Sequence, residues 1–356
     1  MFEELMKPMF FTSITTAVAF SMLAWADIPP VKAFGLFVAF GVMIAWLHTM
    51  TVIPAMLMLL RERKPIAARE EGSPMLAAMG RFSLSRSKLV VVVGAVLTVV
   101  AIYGVTTLVV NDNPVKWFKK SHPIRVADNV LNDLIGGTYI SYLVLEGQGE
   151  EDMKRPDVMG YIEGLQEHLE SLELVGKTTS VADVVKRVNY VLHDEDKTYD
   201  VLPDAREAIG QYLFLYLMSS KPDELDNMVD YDFSKANIWV QLRSGDNRDM
   251  TSVVDDLARF MEANPAPDGI SVQWSGLPYL NITWQQLMVT GMLKATVGSW
   301  WVIFVLLIVQ FRSFWWAAVG MLPLGFSVLF TYGLIGFAGK EYDMPIAVCS
   351  TLALGI

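Results

Sequence analysis

The chain has one cysteine and four histidines, and its long apolar runs carry no acidic residue in their interiors. Each shortage excludes something. The lone Cys349 rules out an intrachain disulfide and leaves the redox compartment unread. Within its apolar segment it reads as a small packing residue. His48, His122, His168 and His193 stand far apart with no metal-ligand spacing, so no metal is expected. The patterns G-x-S-x-G, H-E-x-x-H and the phosphate-cradling P-loop are missing. No catalytic centre, ATP hydrolysis or cofactor is therefore expected, and carboxylate clusters such as Asp194-Glu195-Asp196 and Asp223-Glu224 read as solvated faces. No flexible Gly/Ser-rich linker separates Ser275-Gly-Leu-Pro278 from the helical pattern through Trp284, Leu287 and Met288.

What is present is alternation. Of 356 residues, 53% are hydrophobic, and they gather into helix-length runs. Residues 9–26, 33–60, 89–110, 295–311 and 314–338 read as five membrane spans, each near the roughly 20 residues a bilayer core requires. Residues 344–356 look like the start of a sixth, too short to cross alone, so a truncated C-terminus is expected. Residues 1–7 lead straight into the first span with no signal-peptide pattern. The expected organisation is two spans in 1–61, a connector in 62–88, a span in 89–110, a polar domain in 111–290, two spans in 291–338 and the broken span in 339–356.

Formal net charge is −10, unevenly spread. Arg61, Arg63, Lys64, Arg69, Arg81, Arg86 and Lys88 outweigh Glu62, Glu70 and Glu71 in the connector, which marks it as cytoplasmic. Arg312 in the short turn between the last two full spans agrees. The acidic polar domain then falls on the opposite side, the periplasm of a bacterial inner membrane. Its acidity argues against nucleic acid as a partner. Within the connector, Met75, Leu76, Met79, Phe82 and Leu84 lie among Arg81, Arg86 and Lys88. They form either an amphipathic helix on an anionic membrane face or an ordinary loop. Pro29 and Pro30 are expected to hold the first two spans apart as a hairpin turn, and Pro54 to kink the second.

The polar domain has an order of its own. Residues 138–146, 175–180, 236–243 and 270–274 read as strands, rich in β-branched and aromatic side chains. Residues 156–172, 181–192, 204–219 and 249–263 carry apolar residues at helical spacing. Without the middle helices the order is β-α-β then β-α-β, the ferredoxin-like split arrangement. The predicted class is a polytopic α-helical membrane protein carrying an α+β domain.

Candidate functional residues fall in two groups. Thr12, Ser13, Thr15 and Thr16 form a hydroxyl cluster in the first span, which either bonds back to its own helix or orients a relay carboxylate on a neighbour. His48 is the one ionisable residue well inside a span, as a proton carrier or as a hydrogen-bonded packing residue. In the polar domain, Tyr139, Tyr142, Tyr212, Phe214, Tyr216 and Trp239 either line an apolar cargo cleft or form the core.

The run from Lys7 to Thr16 (KPMFFTSITT), then Ala19-Phe20, Phe34-Gly35 and Pro54-Ala55, resembles spans five and six of RND-superfamily transporters, the MMPL branch most of all. Ser275-Gly-Leu-Pro278, Phe311-Arg-Ser313 and Pro323 resemble that family's passage from its second porter domain into the following spans. Leu352-Ala-Leu-Gly-Ile356 is similar to the approach to its Gly-x-Asp motif. The resemblance runs through the chain in order. It implies a truncated RND-type fold, with the polar domain as a periplasmic porter domain. It implies proton-driven export of lipids or other hydrophobic molecules across the inner membrane, with protons and membrane lipids as partners. A homo-oligomer is compatible with it. It gives Thr12 the place of a hydroxyl near the relay, and puts the relay carboxylates outside this chain. The same superfamily leaves open a non-transporting sterol-sensing sensor or scaffold, and a protein-export accessory.

Overall fold

The computed structural model describes residues 2–59, 74–219, 225–343 and 345–347. Cys349, most of the sixth apolar stretch, the basic residues 61–69 and the Asp223-Glu224 pair lie outside the described residues. In chain order the elements are α1 (Phe2–Ser21), α2 (Pro29–Leu59), α3 (Pro74–Ser85), α4 (Ser87–Thr106), α5 (Pro123–Ile135), β1 (Tyr139–Glu146), α6 (Pro156–Glu170), β2 (Val175–Thr179), α7 (Val181–Leu192), α8 (Arg206–Ser219), β3 (Lys235–Leu242), α9 (Asn247–Ala263), β4 (Ser271–Ser275), α10 (Leu277–Phe311) and α11 (Phe314–Phe337). They divide into two compact units, Met1–Val110 with Gln286–Ile356, and Asn111–Gln285.

Among the described residues five helices are long and apolar enough to cross a membrane, Met6–Trp25, Pro29–Leu59, Ser87–Thr106, Leu277–Phe311 and Phe314–Phe337, and all lie in the first unit except the start of Leu277–Phe311 up to Gln285. Two sequence expectations change here. Pro29 and Pro30 open α2 instead of ending in a turn. At the first helical positions the missing N–H has no intrahelical partner to lose, and the fixed φ suits the helix. The span expected at residues 295–311 is the last part of the unbroken 35-residue α10. The connector segment from Pro74 to Ser85 is a helix, with Met75, Leu76, Met79, Phe82 and Leu84 all exposed.

Small residues bring the spans together. A Cβ on Gly104 of α4 would stand 2.5 Å from the Gly333 carbonyl of α11, and one on Gly333 would stand 2.7 Å from the Ala101 carbonyl. Only hydrogen at both positions allows this backbone approach, which packs helices where apolar burial gives no drive. Ala19 of α1 joins Ile303, Phe304, Ala317 and Met321 in a second buried contact.

The second unit is built on an antiparallel sheet of order β2-β3-β1-β4. With α6 joining β1 to β2 and α9 joining β3 to β4, this is the split βαβ arrangement, with α7 and α8 inserted between β2 and β3. Period-two alternation buries Ser141, Leu143 and Leu145 of β1 and Ala236, Ile238, Val240 and Leu242 of β3. They meet Ile162 and Leu165 of α6 and Val253 and Leu257 of α9 in one core. The start of α7 is set by a capping box between Ser180 and Asp183.

Sequence patterning leaves residues 111–137 unassigned, and α5 lies there. Its signals are local: Pro123 at the first turn, the His122 ring accepting from the Ile124 N–H, and Gly136 at φ 78° closing it. Glycine reaches that left-handed conformation without the steric penalty of a side chain.

Candidate functional site

The hydroxyls of Thr12, Thr15 and Thr16 bond carbonyls of their own helix α1. Thr12 Oγ1 donates to the Pro8 carbonyl at 3.0 Å, Thr15 Oγ1 contacts the Phe11 and Thr12 carbonyls at 2.9 Å, and Thr16 Oγ1 reaches the Thr12 carbonyl at 2.9 Å. Positions 12, 15 and 16 share a helix face. Thr12 is exposed and Thr15 and Thr16 are half-buried. Trp46 of α2 meets Phe10 of α1 edge-on at 5.2 Å. His48 lies two residues on, roughly 200° around the helix from that contact. Its side chain is exposed. The structure thus supplies a polar stripe on α1 and an outward imidazole on α2, each on its own helix.

The six aromatics of the polar unit separate into three places instead of forming one cleft. Tyr139 and Tyr142 are three residues apart on β1, so they point to opposite faces of the sheet. Tyr142 stands opposite Trp239 on β3, and the rings meet edge-on at 5.5 Å on the face away from the core helices. Trp239 Nε1 donates to the Asn227 carbonyl at 3.1 Å, which pins the indole. Tyr139 packs against the core, and its hydroxyl donates to Asp128 of α5 at 2.9 Å. Burial first, then the Asp128 carboxylate, push its phenol well up, so it stays neutral.

The third place is α8. Tyr212 and Tyr216 pack against the core, and the Tyr212 hydroxyl contacts Asn189 at 3.2 Å. Phe214 points outward, 61% exposed, into a cleft of about 560 Å³ with Lys154, Arg206 and Glu151 in its wall. Lys154 bonds Glu151 at 2.7 Å and also lies 4.1 Å from the centre of the Phe233 ring. This cleft offers an apolar ring beside paired charges, a mixed surface suited to an amphiphile.

Sequence reasoning missed a polar cluster at the start of the unit. Asn111, Asp112, Asn113 and Asn247 are buried. Asn113 Nδ2 donates to Asp246 Oδ1 at 2.7 Å, and Lys116 pairs with the other oxygen of the same carboxylate. Burial alone would raise the Asp246 pKa, but Lys116 and the Asn113 and Asn111 amides outweigh it and hold the carboxyl below its ordinary value. Trp117 Nε1 donates to Asp112 at 3.0 Å, while Asn247 Nδ2 reaches the Asn281 carbonyl at 3.1 Å and Gln285 at 2.9 Å. The cluster ties the first residues of the unit to the N-terminus of α9 and the first turns of α10. One signal was available: Asp246 before a helical pattern reads as an N-cap, and Asn113-Pro114 as a turn. Among the described residues no group of His, Cys, Asp and Glu could hold a metal ion.

The MMPL family model matches residues 137–355, more than half of the chain. The chain belongs to the MMPL family. A second model, the sterol-sensing domain of SREBP cleavage-activation, matches residues 1–75 of this MMPL protein. A membrane protein of Methanocaldococcus jannaschii is 23% identical over 289 residues, covering 79% of this chain and 71% of that protein. Among solved structures, the hedgehog release protein Disp from the water bear Hypsibius dujardini matches 99% of this chain with TM-score 0.63 at 12% identity. That likeness shows a common RND-type fold. The MMPL chain spans 48% of the Disp chain. It is a multi-pass membrane protein.

Proposed function

We propose that this chain is part of a proton-driven exporter of lipids or other hydrophobic molecules, seated in a bacterial inner membrane with its Asn111–Gln285 unit in the periplasm. The observation that carries the reading is the MMPL match over residues 137–355, which takes in most of the sheet domain and the two spans after it. The shared fold with a protein described as a release protein supports export. In this reading cargo meets the Tyr142–Trp239 pair and the cleft at Phe214, while Tyr139, Tyr212 and Tyr216 stabilise the walls. Thr12, Thr15, Thr16 and His48 serve the proton path. A threonine hydroxyl bonded to its own helix can rotate toward a carboxylate on another, and an imidazole can pass a proton through its two ring nitrogens. The helix α10, continuous from Leu277 to Phe311, gives domain movement a direct path into a span.

The full-length protein in proteoliposomes tests this. An imposed pH gradient should drive a fluorescent phospholipid out of the bilayer, and a protonophore should stop it. Thr12→Ala should slow that transport several-fold at unchanged protein level. Gradient-independent lipid movement, or none, would sink the proposal. A sensor or scaffold is the second reading, favoured by the sterol-sensing match over residues 1–75. It calls for saturable sterol binding with no gradient dependence.

A further inference from the structure

We propose that the outer edge of β4 is a self-pairing surface, at which two copies of this chain join their sheets antiparallel about Gln273. The inference concerns assembly and stands whether or not the chain exports anything.

The sheet order β2-β3-β1-β4 leaves two edge strands. Unpaired main-chain donors and acceptors along an edge are a template for another strand, and proteins guard such edges with charge, bulges or cover. β2 is guarded in all three ways. Its pairing with β3 shifts register between Val175 and Lys177, and Lys177 puts a charge on the strand. The Thr178 N–H is taken by the Glu170 carboxylate at 2.9 Å. The Gly136 backbone covers Gly176 so closely that a Cβ there would overlap the Gly136 carbonyl. β4 has none of these guards. Its sequence, SVQWS, holds no charge, proline or glycine, and it pairs with β1 at five successive positions without a bulge. Its side-chain bonds run inward: Ser141 Oγ donates to the Ser275 carbonyl at 2.9 Å, and Ser271 Oγ to the Glu146 carbonyl at 3.4 Å. Among the described residues no group bonds the outer edge of β4.

The strand complements itself. Gly269 at φ 82° and Gly276 at φ 96° bound it, so the register that uses its whole length centres on Gln273. That register sets Ser271 opposite Ser275 of the second copy, Val272 opposite its Trp274, and amide opposite amide at Gln273. A β-branched residue across from an aromatic is among the pairs that stabilise a sheet, and like charges opposite each other are what destabilise one. None meet here, although the chain carries a formal net charge of −10 that sets most of two copies' surfaces against each other. Ser271, Gln273 and Ser275 are exposed, while Val272 and Trp274 are half-buried against the core. The pairing therefore extends the apolar layer from one copy to the next. Two strands of five residues bury well under the roughly 1,200 Å² of a lasting complex, so the contact is transient and calls for a covalent trap.

Disulfide trapping of the full-length protein in its membrane is the test, with Cys349→Ser as background. Residues directly opposite in an antiparallel pair have Cα atoms about 4.5–5.5 Å apart, which a disulfide spans. Gln273→Cys should therefore give a disulfide-linked dimer on mild oxidation. Ser271 lies four residues along the strand from Ser271 of the second copy, about 13 Å away, and Ser275 likewise. Ser271→Cys or Ser275→Cys alone should give several-fold less dimer, and co-expression of the two should restore it. Ser271→Lys together with Ser275→Lys, both at exposed positions, sets like charges opposite each other and should cut the Gln273→Cys dimer several-fold. Equal dimer from all three single cysteines, none from Gln273→Cys, or a Gln273→Cys crosslink to a different protein in its place would overturn the proposal.

Discussion

The two units of this chain put the same kinds of side chain to opposite use. In the sheet unit the large apolar residues are hidden: Leu143, Leu145, Ile162 and Leu257 are 0% exposed. In the helical unit they face outward, with Phe37 76%, Leu59 87% and Trp315 78% exposed. Hydroxyls invert as well. Thr15, Thr49, Thr98 and Ser327 each bond a carbonyl one turn back in their own helix. In the sheet unit Ser180 donates to Gln166 at 2.6 Å, and Gln166 to Thr178 at 3.1 Å, joining α6, β2 and the cap of α7. The difference teaches that solvent decides. Water drives apolar burial and tolerates polar networks between elements, whereas hydrocarbon accepts apolar surfaces and requires polar groups to be satisfied nearby.

The largest effect should come from the hidden core. Leu143→Ala should lower stability by about 2–5 kcal/mol, by lost transfer energy and the cavity left behind. Phe37→Ala should change it by about 0.5 kcal/mol or less, as an exposed site does. Thermal unfolding of the full chain in detergent compares them, and equal losses would break the contrast.

Next is the polar cluster of the sheet unit. Asp246→Ala leaves the Asn113 amide and Lys116 without their acceptor and should lose about 1–3 kcal/mol. The Asp246 carboxyl is held below its ordinary value, so its stabilisation is complete above about pH 4 and is lost as pH falls through the depressed value. Unfolding curves from pH 6 to pH 2 should show Asp246→Asn converging on the unaltered protein at the acid end. Parallel curves throughout would mean that this carboxylate is not specially stabilised.

An effect as small as that of Phe37→Ala is expected at a membrane hydroxyl. Thr15→Val should lose roughly 0.6 kcal/mol or less, because its hydroxyl bonds only within α1. A loss several times larger, measured by the same unfolding assay, would show that the α1 hydroxyls serve more than their own helix.

Much of the fold was legible in the sequence because it rests on period and length. Five apolar runs match five long helices, and alternation around Leu143 and Leu145 reveals a strand with one buried face. The same period of two separates Tyr139 from Tyr142, so an aromatic cleft holding both was excluded by spacing already. The Pro29-Pro30 turn was misread because proline breaks a helix interior yet suits its first turn. The Asn113–Lys116–Asp246 cluster was beyond local reading. Its partners are 133 and 130 residues apart and meet only when the sheet unit closes. The proposed proton path was legible only as residue types, since hydroxyls that bond their own helix carry no signal of what else they face.

The proposed orientation, with one unit in water on the far side of the membrane from the basic connector, is open to direct measurement. With Cys349→Ser as background, single cysteines at exposed Gln148, Arg81 and Lys340 can be labelled with a membrane-impermeant maleimide in spheroplasts. Gln148→Cys and Lys340→Cys should react in intact spheroplasts, and Arg81→Cys only after permeabilisation. Reaction of Arg81→Cys in intact spheroplasts while Gln148→Cys stays silent would contradict it.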